Sequence, residues 1–485
     1  MRFLPVFNAL GVIVTLFGIA MLVPLGVSAY FNDGAQTAYD ESIVVTLLAG
    51  LALWLSTRRR KRIELRVRDG FLLVALTWTL LPVFGALPLY IQIPHISFTD
   101  AYFEATSGLT ATGATALSGI DHLPISINFW RCFLHWIGGM GVIVLAVAIL
   151  PLLGIGGRQL FKAETPGPMK ESSLTPRIAE TAKGLWVVYV LLTVACTLAL
   201  SAAGMEGWDA LMHAFSVMGL GGFSTRDASI GHFNSLQIEL TVMFFALLSG
   251  INYATHFLAL HGRSLRPYRR DAELPFYLGV LAASIAGLTL YLMHAETYAD
   301  VWTTLRYVAF HTISLATSLG FATTDYTHWP MYGQLWILFL GSFIACSGST
   351  GGGIKMMRAI ILYKQVYREI LRAMHPRAVH PVRLGGQVVS EPVLHAVLAF
   401  SFIYMVIIVT LTLLMSASGA ELVTGFSAVI ATLNNTGPGL YAVGPAGNYG
   451  VLTDFQTWLC SFAMILGRLE IFTLLVVLTP AFWRK

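Results

Sequence analysis

Residues 100–115 read Asp100-Ala101-Tyr102-Phe103-Glu104-Ala105-Thr106-Ser107-Gly108-Leu109-Thr110-Ala111-Thr112-Gly113-Ala114-Thr115. The stretch opens as a short helix, with Asp100 suited to cap it, and then turns Thr/Ala/Gly-rich and uncharged. About ten helical residues cannot span a bilayer core of about 30 Å, and long apolar runs flank the stretch on both sides. The pattern predicts a re-entrant element, a half helix going in and an extended strand coming back. Such a strand offers backbone carbonyls rather than side chains. Gly113 supplies a residue that adopts φ > 0 without a Cβ penalty. Small residues beside membrane helices also serve close packing, so one such stretch carries little weight until it recurs.

The 485 residues are 56% hydrophobic and 11% charged, with a mean hydropathy of +0.70. Soluble domains carry about 25% charged residues, so the composition is that of a polytopic membrane protein embedded in the lipid bilayer. The formal charge of +5 fits basic membrane-protein loops rather than a nucleic-acid surface, and no nucleic acid is expected as partner. Cys132, Cys196, Cys346 and Cys460 lie in apolar segments without CxxC spacing. They predict neither a zinc site nor a disulfide framework. Val6 to Val27 follows Arg2, with a weak cleavage pattern at Val27-Ser28-Ala29. Its length, and the apolar partner from Ile43 to Leu55, predict a retained helix that forms a hairpin.

Apolar runs fall at roughly 6–30, 42–57, 70–92, 128–152, 184–204, 237–260, 274–294, 333–357, 391–416 and 454–480. Each is near the roughly 20 residues a spanning helix needs, which predicts ten crossings. Shorter segments lie between them at about 98–110, 207–219, 300–317 and 421–434. Loops carrying Arg58 to Arg68, Arg158 to Lys183, Arg263 to Arg270 and Lys364 to Arg383, and the end Trp483-Arg484-Lys485, fall on one side if each short segment returns to its own side. The other side carries Asp33, Asp40, Glu41, Asp121, Glu206 and Asp227, with Arg226 and Arg306 as exceptions. The basic side is expected to be cytoplasmic, with both termini there. An acidic outer mouth concentrates cations.

The opening stretch recurs. Asp100 placed on Asp209 aligns Ala105 with Ala214, Ser107 with Ser216 and Gly113 with Gly222. A third copy aligns His311 with His213, Ser314 with Ser216 and Gly320 with Gly222, and a fourth, weaker one ends at Gly437. The tetrads are Thr110-Ala111-Thr112-Gly113, Gly219-Leu220-Gly221-Gly222, Thr317-Ser318-Leu319-Gly320 and Asn434-Asn435-Thr436-Gly437. Their last glycines lie 109, 98 and 117 residues apart, a period that makes each repeat a structural unit. The expected architecture is an all-α membrane protein with four pseudo-repeats of helix, re-entrant pore loop and helix around one central ion pore. The expected units are an N-terminal transmembrane hairpin with its basic loop (1–69) and pore repeats at 70–183, 184–273, 274–390 and 391–485.

Four re-entrant loops ending in glycine are what a four-fold ring of carbonyls requires. Potassium channels build that ring from four subunits, their carbonyls replacing the hydration shell of the ion. With these features the chain resembles the Trk/Ktr/HKT superfamily of potassium transporters over its whole length. The resemblance implies a potassium-selective filter at the sixteen tetrad residues quoted above, with K+ as cargo and no covalent cofactor. It also implies uptake across a bacterial inner membrane, a homodimer, and a TrkA-like cytosolic ring that binds nucleotides. The residues point to the same division of labour. No nucleotide site is visible, and the loops are too short to form a regulatory domain.

The eighth run breaks at Ser347-Gly348-Ser349-Thr350-Gly351-Gly352-Gly353-Ile354-Lys355. Four glycines in six positions, each costing about 1 kcal/mol against Ala, oppose a helix. A phosphate-binding loop needs Gly-Lys-Ser/Thr, and here Ile354 separates Gly353 from Lys355. Unwound backbone at membrane depth must face water or protein, so a loop beneath the filter is expected. In the resembled family the corresponding loop is an intramembrane gate, which assigns that role to Gly348, Ser349, Thr350, Gly351, Gly352, Gly353 and Lys355. Arg468 lies mid-run, and an intramembrane charge is functional by default. Glu470 stands at i+2, off its helix face, so the loop carbonyls are its expected partners. By resemblance Arg468 also lines the permeation path and joins the gate. His135, Asn252 and His256 are expected as helix–helix contacts, and Gly138-Gly139-Met140-Gly141 as close packing.

Two rivals remain. A proton- or sodium-coupled potassium symporter would show inverted repeats, whereas these repeats share one orientation. An embedded enzyme would need convergent acids, bases or metal ligands. Only His213 and His311 suggest that, and their matching repeat positions explain them by symmetry, so no enzyme is expected.

Overall fold

The computed structural model describes residues 3–57, 67–148, 174–377 and 379–484. Arg58, Arg59, Arg60, Lys61, Arg62, Arg66, Arg158, Lys162, Lys170 and Lys485 lie outside the described residues.

Helices Phe3–Ala20 and Leu22–Phe31 run up to a turn, and Gln36–Thr57 returns. The two arms cross where neither has a side chain: a Cβ on Gly11 would lie 2.6 Å from the Trp54 nitrogen, and one on Gly50 2.7 Å from the Thr15 nitrogen. Small residues let membrane helices approach this closely. The turn is tied to the rest of the chain by Asp33, whose carboxylate accepts the Ser126 N–H at 2.8 Å. The Tyr39 hydroxyl donates to the Ser126 carbonyl at 2.8 Å.

Four pore repeats follow. Their outer helices are Val67–Gln92, Leu174–Ala202, Leu274–His294 and Glu391–Ala417. Their pore helices are Phe98–Leu109, Gly207–Gly219, Val301–Ala316 and Leu422–Leu433, each within about two residues of the short segments expected from sequence. Three have side-chain caps, which satisfy N–H groups left unpaired at a helix start. Ser97, rather than Asp100, caps the first: its hydroxyl accepts from Asp100 N at 3.0 Å and donates to the Asp100 carboxylate at 2.7 Å. Asp300 and Glu421 cap the third and fourth.

The second helices depart from simple crossings. In repeat 1 the helix is Ile125–Ala148. In repeat 2, Leu236–Ser249 and Tyr253–His261 meet at 90°. In repeat 3, Met331–Leu340 and Met356–Met374 are separated by the glycine loop. In repeat 4, Asp454–Arg468 and Phe472–Leu478 meet at 114°. Among the described residues six helices are long and apolar enough to cross a bilayer, or eight if each bent pair counts once. The breaks in repeats 2 and 4 correct the expectation of continuous helices at 237–260 and 454–480. Both segments stay mostly apolar on either side of the bend, with Asn252 at one break and Glu470 at the other. The chain is a multi-pass, all-α membrane protein, its one strand pair being the two-residue hairpin Arg383–Leu384 and Gln387–Val388 among the described residues.

Candidate functional site

The four tetrads share one backbone. Their second residues are left-handed without being glycine: Ala111 (φ 49°), Leu220 (53°), Ser318 (63°) and Asn435 (52°). Their last glycines, Gly113, Gly222, Gly320 and Gly437, have φ of 82°, 81°, 81° and 94°. In each repeat the third residue's N–H returns to the carbonyl three places before the tetrad. These bonds run from Thr112 to Ser107, Gly221 to Ser216, Leu319 to Ser314 and Thr436 to Ala431, at 2.8–2.9 Å. A left-handed residue with a Cβ costs about 1–2 kcal/mol. Strain of this kind, repeated at one position, marks backbone held in place for a purpose.

The tetrads close on one another in chain order. A Cβ on Gly113 would lie 2.0 Å from the Gly221 carbonyl oxygen. One on Gly222 would lie 2.3 Å from the Leu319 oxygen, and one on Gly320 2.2 Å from the Thr436 oxygen. One on Gly437 would lie 2.5 Å from the Thr112 oxygen, which returns to the first repeat. Four glycines and four preceding carbonyls thus form a ring.

Among the described residues, no hydrogen bond reaches the carbonyls of the first three residues of any tetrad. Buried carbonyls are nearly always paired, so a cluster of unclaimed ones is an acceptor surface for something else. The tetrad side chains are occupied in packing instead. Thr110 and Thr112 hydroxyls bond each other at 2.7 Å. Asn434 is bound by Tyr404 and Ser342, and Asn435 donates to Thr112 and to the Met464 carbonyl. The C-terminal ends of four pore helices lead into the ring, and a helix C-terminus carries about half a negative charge. The site therefore favours a cation held by backbone oxygens.

Behind the ring, the residue six places before each tetrad braces the outgoing strand in three repeats. His213 Nε2 lies 2.9 Å from Ser224 Oγ, and His311 Nε2 3.1 Å from the Thr324 carbonyl. Both rings also bond backbone one turn back, so they are structural and not a catalytic pair. In repeat 1 the position is Glu104, paired with Arg131 at 2.7 Å. Sequence reasoning missed both partners, because Arg131 sits inside an apolar run and Glu104 inside a pore helix. The register of Glu104 with His213 and His311 was the available signal.

His135 lies against the second strand, its Nδ1 3.3 Å from Ser216 Oγ. His256 bonds Tyr268 and the Leu248 carbonyl, and Asn252 caps Tyr253–His261. Gly138 and Gly139 pack as expected: their Cβ positions fall 1.9 Å from the Leu109 oxygen and 2.8 Å from Gly219 Cα.

The glycine loop presses against one side of the ring. A Cβ on Gly351 would meet the Thr317 oxygen at 2.8 Å, and one on Gly352 the Asn434 oxygen at 2.0 Å. Gly352 N–H donates to Ser318 Oγ at 2.8 Å, and Thr350 Oγ1 to the Met218 carbonyl at 3.0 Å. These glycines serve close approach as much as freedom of motion; only Gly348 and Gly353 have positive φ within the segment 348–353. Arg468, 4% exposed, donates to the Thr350 carbonyl at 2.8 Å and to the Gly138 carbonyl at 3.1 Å. Lys355 Nζ donates to the Gly351 carbonyl. Glu470 turns away to Arg358 at 2.5 Å. Ser349 hydroxyl donates to the Cys346 carbonyl.

Both feet of the loop meet on one carboxylate oxygen of Glu273, which accepts Ser347 N–H at 2.9 Å and Met357 N–H at 3.0 Å. Hydrogen bonds to a charged group contribute about 1.5–3 kcal/mol each. Glu273→Gln is expected to weaken both and raise proteolytic cleavage within 347–357 about tenfold in folded protein. Unchanged cleavage would show that the feet are held by packing alone.

Comparison with known proteins gives one consistent answer. Residues 35–485 match the family TrkH, described as a cation transport protein. The chain is 46% identical over 486 residues to the Trk system potassium uptake protein TrkH of Salmonella typhimurium, covering 100% of both chains. It is 39% identical over 476 residues to TrkG of Escherichia coli K12, covering 98% of this chain and 97% of that one. The crystal structure of the potassium transporter TrkH from Vibrio parahaemolyticus superposes with a TM-score of 0.92 at 42% identity, over 100% of both chains. These relatives are named as transport proteins and not as enzymes. The four-fold ring, the broken second helices and this full-length similarity together place the chain in the TrkH family of cation transport proteins.

Proposed function

We propose that this chain takes up potassium across a bacterial inner membrane, by passive flow through one selective pore per chain. The observation that carries this is the set of unclaimed tetrad carbonyls on a closed four-glycine ring. Carbonyls so placed replace the hydration shell of a potassium ion, at Thr110 to Gly113, Gly219 to Gly222, Thr317 to Gly320 and Asn434 to Gly437. Repeats 70–183, 184–273, 274–390 and 391–485 each supply one tetrad behind the hairpin 1–69. The relatives' names support potassium as the cargo.

The glycine loop is the gate. It closes the path on the cytoplasmic side of the ring, held by Arg468 and Lys355 through its own carbonyls. A TrkA-like cytosolic ring that binds nucleotides docks on the basic inner face and displaces it. Both termini face the cytoplasm, and the pore chain works as a homodimer.

Rubidium uptake into vesicles holding the purified chain alone tests the gate. Arg468→Ala removes two charge-assisted hydrogen bonds, each contributing about 1.5–3 kcal/mol. It also removes a fixed positive charge, which at about 8 Å and an effective dielectric near 20 repels a cation by roughly 2 kcal/mol. Uptake should rise at least about tenfold with selectivity intact. A folded Arg468→Ala protein that conducts no faster than wild type would place the gate elsewhere.

A further inference from the structure

Each junction between neighbouring repeats behind the ring is braced differently. Between repeats 2 and 3, Gly231 N–H donates to the Ala322 carbonyl at 3.1 Å. Between 3 and 4, the Tyr326 hydroxyl donates to the Gly439 carbonyl at 3.0 Å. Between 4 and 1, Tyr449 donates its N–H to the Thr115 carbonyl at 2.8 Å, while its hydroxyl holds the Gly437 carbonyl of its own repeat at 2.7 Å. These bonds of the outgoing strands are neutral; the Arg306–Glu239 pair also joins repeats 2 and 3 but touches no tetrad strand.

The junction between repeats 1 and 2 carries a charge pair. Glu104 and Arg131 side chains are 0% and 1% exposed. No other ion pair among the described residues has both side chains so deeply buried. Arg131 Nε donates to Glu104 Oε1 at 2.8 Å. Its Nη1 donates to the Ser224 carbonyl and to Asn128 Oδ1, both at 3.2 Å. Its Nη2 reaches Thr115 Oγ1 at 3.3 Å, and the guanidinium carbon lies 4.3 Å from the centre of the Phe223 ring. Glu104 Oε2 accepts Ala116 N–H at 3.1 Å, and both its oxygens take the Thr115 hydroxyl, at 3.0 and 3.1 Å.

Thr115 and Ala116 follow Gly113 by two and three residues, and Phe223 and Ser224 follow Gly222 by one and two. One planar guanidinium therefore holds the outgoing strands of two adjacent tetrads at once. A guanidinium does this with fixed geometry because its donors form a rigid fork, and burial keeps water from competing for them.

We propose that Glu104 and Arg131 are positioning residues for ion selectivity: a buried clamp that sets the spacing of the first and second tetrads and so the width of the carbonyl ring on that side. It rests on the potassium-pore reading and names residues outside the tetrads that determine its discrimination. The asymmetry has a consequence. Repeat 4 has Ala428 at the Glu104 position, so the clamp fixes one side of a ring whose outgoing strands on the opposite side are joined by the neutral Tyr326–Gly439 bond.

The test is the potassium-over-sodium permeability ratio of the purified full chain in vesicles. Glu104→Gln keeps the shape and removes the charge. Thr115→Val keeps the shape and removes the hydroxyl between the partners, at a half-buried site that tolerates the change. Both should lower the ratio about fivefold, roughly 1 kcal/mol at 1.4 kcal/mol per decade. Arg131→Lys keeps a positive charge but loses the fork to Ser224, and should lower it too. Arg306→Gln breaks the pair between Arg306 and Glu239, at 2.7 Å, which touches no tetrad strand, and should leave the ratio unchanged. A purely structural role would lower the melting temperature and the yield in the three clamp variants without moving the ratio. If Glu104→Gln and Thr115→Val keep the wild-type ratio while Gly113→Ser loses it, the clamp is overturned and the ring stands. If Gly113→Ser also keeps it, the ring falls and the clamp with it.

Discussion

Gly113→Ser and Gly222→Ser should each lower the potassium-over-sodium permeability ratio at least about tenfold. A Cβ at Gly113 would stand 2.0 Å from the Gly221 oxygen, and one at Gly222 2.3 Å from the Leu319 oxygen. No rotamer relieves a clash between a Cβ and a backbone carbonyl, so a strand must move. The φ values of 82° and 81° add about 1–2 kcal/mol of strain for a residue with a side chain, and about 1.4 kcal/mol already corresponds to tenfold. Because each glycine abuts the next repeat's carbonyl, the displacement falls on the ring itself. Reversal potentials under opposed potassium and sodium gradients measure the ratio. Unchanged values in both variants would exclude a selective ring at these four glycines.

Deleting Gly348 to Gly353 should raise rubidium uptake by the chain alone at least tenfold, again about 1.4 kcal/mol, and leave selectivity intact. The segment contributes the Thr350 carbonyl that Arg468 holds and the Gly352 N–H bound to Ser318. It also fills the space under Thr317 and Asn434. Lys355, two residues past the deletion, has φ 76° and ψ 144°, a region nearly exclusive to glycine, so the backbone that leaves the loop is itself strained. Uptake equal to wild type from folded deletion protein would show that the loop does not limit flow. A lost permeability ratio would show instead that the loop supports the ring.

Much of this was legible in the chain because membrane depth leaves few options. The pore helices declare themselves as apolar segments too short to cross. The tetrad glycines declare themselves by recurrence, and the loop by four glycines in a helix-length run. Arg468 stood out as a charge among apolar residues, and its i+2 spacing from Glu470 already turned it toward the loop. Other features left no such mark. Bends at Gly250 to Asn252 and Leu469 to Ile471 keep an apolar composition on both sides, and composition does not register direction. Ser97 outranks Asp100 as cap because the helix begins three residues earlier than a cap at Asp100 implies. Arg131 hides near the start of an apolar run, and its partners Glu104, Thr115 and Ser224 lie in three separate segments. The closing of Gly437 on Thr112 joins residues more than 300 apart, which only the folded chain reveals.

Bilayer current from the purified chain lacking Gly348 to Gly353, recorded without a cytosolic partner, tests the central claim most directly. One selective pore per chain predicts currents that reverse near the potassium equilibrium potential and need neither a sodium nor a proton gradient. The same deletion combined with Gly113→Ser should shift the reversal potential toward that of sodium. Potassium uptake that runs only with a sodium or proton gradient, and yields no potassium current without one, would contradict it and make the chain a coupled transporter.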